Sequence, residues 1–391
     1  MSTTAPSGLK AAVQSAVADY AQAAIGLSRA LHAEPEIAWQ EVKSSARVAS
    51  ALADAGFKIE APYCGMATAF RAEYGSGPLH ITLCAEYDAL PGIGHACGHN
   101  LIASITTAAA VALTGLADDL GITIVVLGTP AEEGGGGKVA MIEAGAFDDA
   151  HAAMMVHPGP VDVIRANPYA VSHLRIGYTG EAAHAAAYPE LGRNAADAFT
   201  IAQVAIGLLR QQLPSTARVH GIVTNGGAAP NIIPESAEGR WYVRASTTQE
   251  LNGLEVKVRR CFEAGALAAR CEVTIEEESP RYAEFRTDEG LSASYQRNAV
   301  ELGRVFTDPA DRAASMARAS TDMGNVSQIV PAIHPYVGIG SLPAVNHQAG
   351  FTAHTVTPVA ERALLESATA LAWTVVDAAT DHDLRYRLLT R

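Results

Sequence analysis

LHITLCAEYDALPGIGHACGHNLI, residues 79–102, joins an apolar strand-like run to a cluster of side chains that bind metals. Residues 79–84 are rich in β-formers, Pro91 and Gly92 stop the run, and residues 101–113 read as an Ala-rich helix. Cys97 and His99 therefore fall on a strand-to-helix loop. On an extended backbone residues two apart project from the same side, and Gly98 between them lets the chain bend around an ion. Thiolate and imidazole both suit zinc and similar metals, and Asn100 is placed to cap the helix that follows.

The alternation of strand and helix extends outward from this stretch. Helical patterns cover residues 9–31 and 42–55, strand patterns fall at 57–60, 66–74, 122–127 and 152–156, and further helices at 101–117 and 138–144. Such alternation predicts a mostly parallel sheet covered by helices, with functional groups beyond the carboxyl ends of its strands. Three sets of candidate ligands lie at such ends: Cys97 with His99, Glu132 with Glu133 after ITIVVLGTP, and His157 after AAMMV.

From residue 171 the texture changes to the order βαββαβ, the ferredoxin-like split unit. After Pro280 the chain returns to helices, with an apolar segment at 332–339 and a long Ala-rich helix at 358–378. The 391 residues exceed what one core usually holds. The expected organisation is an α/β catalytic domain in two parts, 1–170 and 281–391, interrupted by an α+β domain at 171–280.

Composition excludes several functions. A net charge of −13 without a block of like charges argues against nucleic acid or an anionic membrane as partner. No run approaches the ~20 apolar residues that span a bilayer. Five unpatterned cysteines suit a reducing compartment, and MSTTAPSGLK does not resemble a signal peptide, so a cytoplasmic location is expected. GGGGK at 134–138 is not a Walker loop, because the spacing is wrong and Val139 stands where Ser or Thr belongs.

Glu132 and Glu133 are adjacent after a strand, so their carboxylates point different ways, and one can grip a metal while the other faces a bound water. Metal-assisted hydrolysis needs that division between a ligand and a general base. His157, His95, His334, His347 and His354 are further candidates, each with a structural alternative. Asp88 is either an orienting partner for a ligating imidazole or a turn residue before Pro91, and Asp322, in ASTDMGNVS, reads as an Asx-turn residue.

Together the segments LHAEPEIAWQE, AEYDALPGIGHACGHN, GTPAEEGGGGK, MMVHPGP, GEAAHAAAYPELGRNAADA, GGAAPNIIPESAEGRWYVRA and ASTDMGNVS resemble the dinuclear metal amidohydrolases of the aminoacylase and carboxypeptidase family. The likeness covers about residues 28–378 and is strongest to the branch of auxin-conjugate hydrolases, p-aminobenzoyl-glutamate hydrolase and β-alanyl-lysine dipeptidase. It implies two divalent metal ions per subunit, zinc or manganese. Cys97 would bridge them, with His99, Glu133, His157 and His347 as the other ligands. His347 is preferred to His354 because Phe351 follows it at the family's spacing. Glu132 would be the general base. A dimerisation lid would contribute His184 to the oxyanion, and Asn231 and Arg244 to the carboxylate of a small amide substrate. An N-acyl amino acid, a dipeptide or an aminobenzoyl-glutamate would each suit such a site. The chain departs from the branch at Asn100 and Glu86, where Asp is common. Two rival readings are a metal-independent hydrolase with Cys97 as nucleophile and His99 or His95 as base, and a non-catalytic binding homologue.

Overall fold

The computed structural model describes residues 7–391. The chain divides into two compact units, Met1–Asn167 with Phe285–Arg391, and Pro168–Glu284.

The first unit opens with helices α1 (Ser7–Ala33) and α2 (Val42–Asp54), then strands β1 (Lys58–Glu60), β2 (Phe70–Gly75) and β3 (Leu79–Glu86). Helix α3 (His99–Leu113), β4 (Ile122–Thr129), α4 (Gly137–Glu143), β5 (Ala152–Met154) and β6 (His157–Gly159) follow. The second unit contributes β7 (Ala170–Thr179), α5 (Ala195–Leu209), β8 (Arg218–Asn225), β9 (Ser236–Ala245), α6 (Thr248–Ala269) and β10 (Glu272–Tyr282). The chain then returns to the first unit through α7 (Glu289–Glu301), α8 (Met323–Ile329), β11 (Ala332–Ile333), β12 (Tyr336–Gly338), α9 (Ala349–His354) and α10 (Pro358–Thr380).

The main sheet has the order β1-β2-β4-β3-β5-β11. Strands β4, β3, β5 and β11 are parallel, and β2 and β1 add an antiparallel edge. Every residue of β4 is buried, which explains its predominantly apolar sequence: helices cover both faces, so no in-out alternation is required. Helix α3 is apolar on nearly all sides for the same reason, packed between β3 and helices α1 and α10.

Two local expectations are corrected at α3. The helix starts at His99, and its cap position is Gly98 in the left-handed region at φ +88°. Asn100 is therefore inside the first turn, buried, with its amide donating to Ser28 Oγ at 2.9 Å, and does not cap the helix. Cys97 and His99 also do not share an extended segment. A left-handed glycine brings them together, and a Cβ there would stand 2.4 Å from Pro158 Cγ.

In the second unit the sheet order β10-β7-β9-β8 is antiparallel throughout, with α5 and α6 joining its strands as the βαββαβ pattern requires. Burial alternates along β9, and Trp241 packs against Phe199 and Phe262 in the core beneath the helices. Asn194 caps α5 by accepting from Ala196 N, and Thr247 caps α6 by accepting from Glu250 N.

Candidate metal centre

Strand β3 ends at Glu86, and two residues on Asp88 is fully buried. Its Oδ1 lies 2.9 Å from His99 Nδ1, and its Oδ2 accepts the backbone N–H of Glu133 at 2.9 Å. A carboxylate only accepts, so the Nδ1 of neutral His99 carries the proton and Nε2 presents a lone pair to the interior. His157 is held alike: its Nδ1 is 2.8 Å from the carbonyl of Pro158, which leaves Nε2 bare, 3.5 Å from Cys97 Sγ. Two imidazole lone pairs thus converge on one sulfur.

The loop after β4 brings the carboxylates. Ala131 turns the chain at φ +56°, and its N–H donates to Glu41 Oε1 at 2.8 Å, a buried carboxylate that also accepts from Thr68. Gly137 lets the loop close, since a Cβ there would meet the carbonyl oxygen of Pro130 at 1.8 Å. Glu132 Oε2 lies 3.8 Å and Glu133 Oε1 4.0 Å from His99 Nε2. Both residues are largely enclosed, at 7% exposure for Glu132, and are not solvated loop glutamates. His347 sits at φ +67° with its N–H on the carbonyl of Ala96, and its Nε2 is 3.2 Å from Glu133 Oε1.

Among the described residues three sets of donors lie within 4.8 Å of one another: Cys97, His99 and His157; Cys97, Glu133 and His347; Glu86, His99 and Glu132. His354 ends α9 and His95 lies buried before Cys97, and neither belongs to these sets. The ring of His334 lies 5.3 Å from that of His157, tilted by 33°.

These donors fit a divalent cation. His99 Nε2 and Glu86 Oε2 are buried without a hydrogen-bond partner, a costly arrangement that a cation relieves. Sulfur, imidazole and carboxylate donors suit zinc and manganese alike. Burial would raise the Cys97 thiol, but the neighbouring imidazoles of His99 and His347 pull it down to about 6. Burial lowers His157 to about 4, which keeps it neutral. Burial, reinforced by the charges of Glu86 and Glu133, pushes Glu132 well above the usual carboxylate range, and burial with the charge of Cys97 brings Glu133 to about 7.

Lys138 is a further member that sequence reasoning missed. It is fully buried, with Nζ 2.5 Å from Glu86 Oε1 and 2.7 Å from Asp322 Oδ1. Asp322 is accordingly not an Asx-turn residue: its Oδ2 accepts the backbone N–H of Lys138 at 2.9 Å. The missed signal was GGGGK itself, in which a lone lysine follows four glycines into a helix that the sheet buries.

In the second unit, exposed His184 accepts the N–H groups of Ala186 and Ala187 at Nδ1, so its Nε2 carries the proton in the neutral ring and is a donor. His184 bridges Ile232, and the carbonyl of Asn231 accepts the N–H of Ala185. Arg244, half-buried on β9, lies 5.9 Å over the ring of Tyr242 and donates Nε–H to His220.

Residues 82–372 match the sequence model of peptidase family M20/M25/M40. The chain is 41% identical to the Xaa-Arg dipeptidase of Mus musculus, over 90% of this chain and 84% of that protein. It is 35% identical to one of the subunits of the p-aminobenzoyl-glutamate hydrolase of Escherichia coli (strain K12), over 62% of this chain and 54% of that protein. In fold it resembles a dinuclear metal binding peptidase from the M20 family of Bacillus subtilis, with a TM-score of 0.71 and 20% identity over 93% of this chain and 99% of the other.

Proposed function

Because the chain belongs to peptidase family M20/M25/M40, we propose that it is a metal-dependent hydrolase that cleaves the amide bond of a small substrate bearing a carboxylate, a dipeptide above all. An N-acyl amino acid and an aminobenzoyl-glutamate are the alternatives to be compared with it, the latter from the 35% identical relative. The observation that carries the reading is the convergence of the bare Nε2 atoms of His99 and His157 on Cys97.

Cys97, His99, Glu133, His157 and His347 would hold two divalent ions. When bound, the ions supply Lewis acidity and bring the pKa of water towards ~7. Glu132 takes the proton of the attacking water and returns it to the leaving amine, a role suited to a carboxyl whose burial raises its pKa. Asp88 keeps His99 in the ligating tautomer. His184 donates Nε2–H to the developing oxyanion, and Asn231 and Arg244 hold the substrate carboxylate.

The second unit also serves as the contact between two subunits. Strand β8 is an edge of its sheet, with Ile222 and Val223 exposed, and α5 exposes Val204 and Leu208. A reducing, cytoplasmic setting suits a thiolate that must stay free, and the cysteines are unpaired.

The test is to strip the protein with a chelator, reload it with zinc or manganese, and assay a panel of dipeptides, N-acyl amino acids and p-aminobenzoyl-glutamate. Activity lost on chelation and restored by metal supports the reading. Activity indifferent to chelation overturns it in favour of Cys97 as a nucleophile, and a reloaded protein inert on the whole panel overturns it in favour of a binding protein.

A further inference from the structure

We propose that Glu86 is an additional donor to the metal centre, held on target by Lys138; the inference rests on the metal-dependent reading above.

Glu86 is the last residue of β3 and is fully buried. Its two oxygens are used unequally. Oε1 accepts from Lys138 Nζ at 2.5 Å, whereas Oε2 has no hydrogen-bond partner and lies 3.6 Å from His99 Nε2. Lys138 is itself fixed, because Asp322 holds its ammonium through Oδ1 and its backbone N–H through Oδ2. The clamp therefore fixes the direction of the open oxygen of Glu86.

The spacing is that of two ligands on one ion. Donors about 2.1 Å from a tetrahedral centre stand about 3.4 Å apart. Glu86 Oε2 meets that condition with His99 Nε2, and the donors of Glu86, His99 and Glu132 all lie within 4.8 Å of one another. A buried ion pair that served stability alone gains nothing by leaving an oxygen unsatisfied beside an unpartnered imidazole nitrogen. A cation between the two satisfies both. An added carboxylate also makes this side of the centre richer in oxygen than the side of Cys97 and His157, and so better suited to manganese.

The test titrates apo-protein with manganese chloride alone by calorimetry and records the visible spectrum of the cobalt(II)-loaded protein. Glu86→Gln retains an acceptor for Lys138, so its fold is expected to persist. Glu86→Asp, which keeps the charge but withdraws the oxygen by one methylene, decides the matter if the Gln variant does not fold. In either variant one manganese site is expected to weaken by about ten- to a hundredfold with an altered cobalt spectrum. Lys138→Met, which releases Glu86 to turn away, is expected to weaken the same site. Wild-type affinity and an unchanged spectrum in the folded Glu86 variant overturn the proposal, and a Lys138→Met protein that binds as wild type overturns the clamp. Wild-type protein that binds no metal instead overturns the hydrolase reading on which both depend.

Discussion

Asp88 fastens His99 and Glu133 to each other: one carboxylate oxygen holds the imidazole Nδ1 at 2.9 Å and the other the backbone N–H of Glu133 at 2.9 Å. The two segments that carry candidate donors, one after β3 and the other after β4, are thereby set in register. Asp88→Asn keeps the shape but offers one acceptor where two donors must be met, so one of the bonds is lost. Metal affinity is expected to fall by about ten- to a hundredfold, as read by competition with a chromogenic chelator. Wild-type affinity in a folded Asp88→Asn protein would leave the residue as a turn former only.

Glu132→Gln separates base from ligand. The variant is expected to retain its metals by elemental analysis while kcat falls by about 10²- to 10⁴-fold. Metal lost together with activity would make Glu132 a ligand, and undiminished turnover would end the proposed proton transfer.

Gly98→Ala tests the bend between Cys97 and His99. Its Cβ would stand 2.4 Å from Pro158 Cγ on a backbone at φ +88°, and both costs fall on the start of α3. A loss of about 1–3 kcal/mol in urea unfolding is expected, with weakened metal binding because Pro158 neighbours His157. Stability equal to wild type would show that the turn relaxes freely.

Acid should weaken the second unit through His173. Burial, with the charge of Arg244, lowers this imidazole to about 4, while Ser279 lies 2.7 Å from its Nδ1. The unfolded chain titrates near 6.5. Between these values the unfolded state binds the proton and the folded state excludes it, so the stability is complete above about 6.5 and is lost as pH falls towards 4. The slope is about 1.4 kcal/mol per pH unit. Subtracting the unfolding free energies of His173→Gln from those of wild type at each pH cancels other groups. A difference that stays constant from pH 7 to 4.5 would rule the effect out.

Much of the architecture is local in origin and was legible. The apolar run of β4, the punctuation by Pro91 and Gly92, and the βαββαβ order each express burial and turn chemistry over short spans. Asn100 shows where local rules fail. Asn is a favoured cap, yet His99 opens the helix and glycine fits the left-handed position before it. Lys138 shows the same at long range. Its partners Glu86 and Asp322 lie 52 and 184 residues away, and no periodicity reports a buried ion cluster assembled over such distances.

The amino-acid order by itself determined the alternation of strands and helices, the interruption by a second unit, and the residue types available to bind metal, because these follow from side-chain periodicity and composition. Tertiary structure alone decided which donors meet. It set His347 rather than His354 beside Glu133, turned Nε2 of His99 and His157 inward, and brought Lys138 between Glu86 and Asp322. The physical reason is that hydrogen bonds and charge pairs act over a few ångströms of space, whatever the length of chain between them.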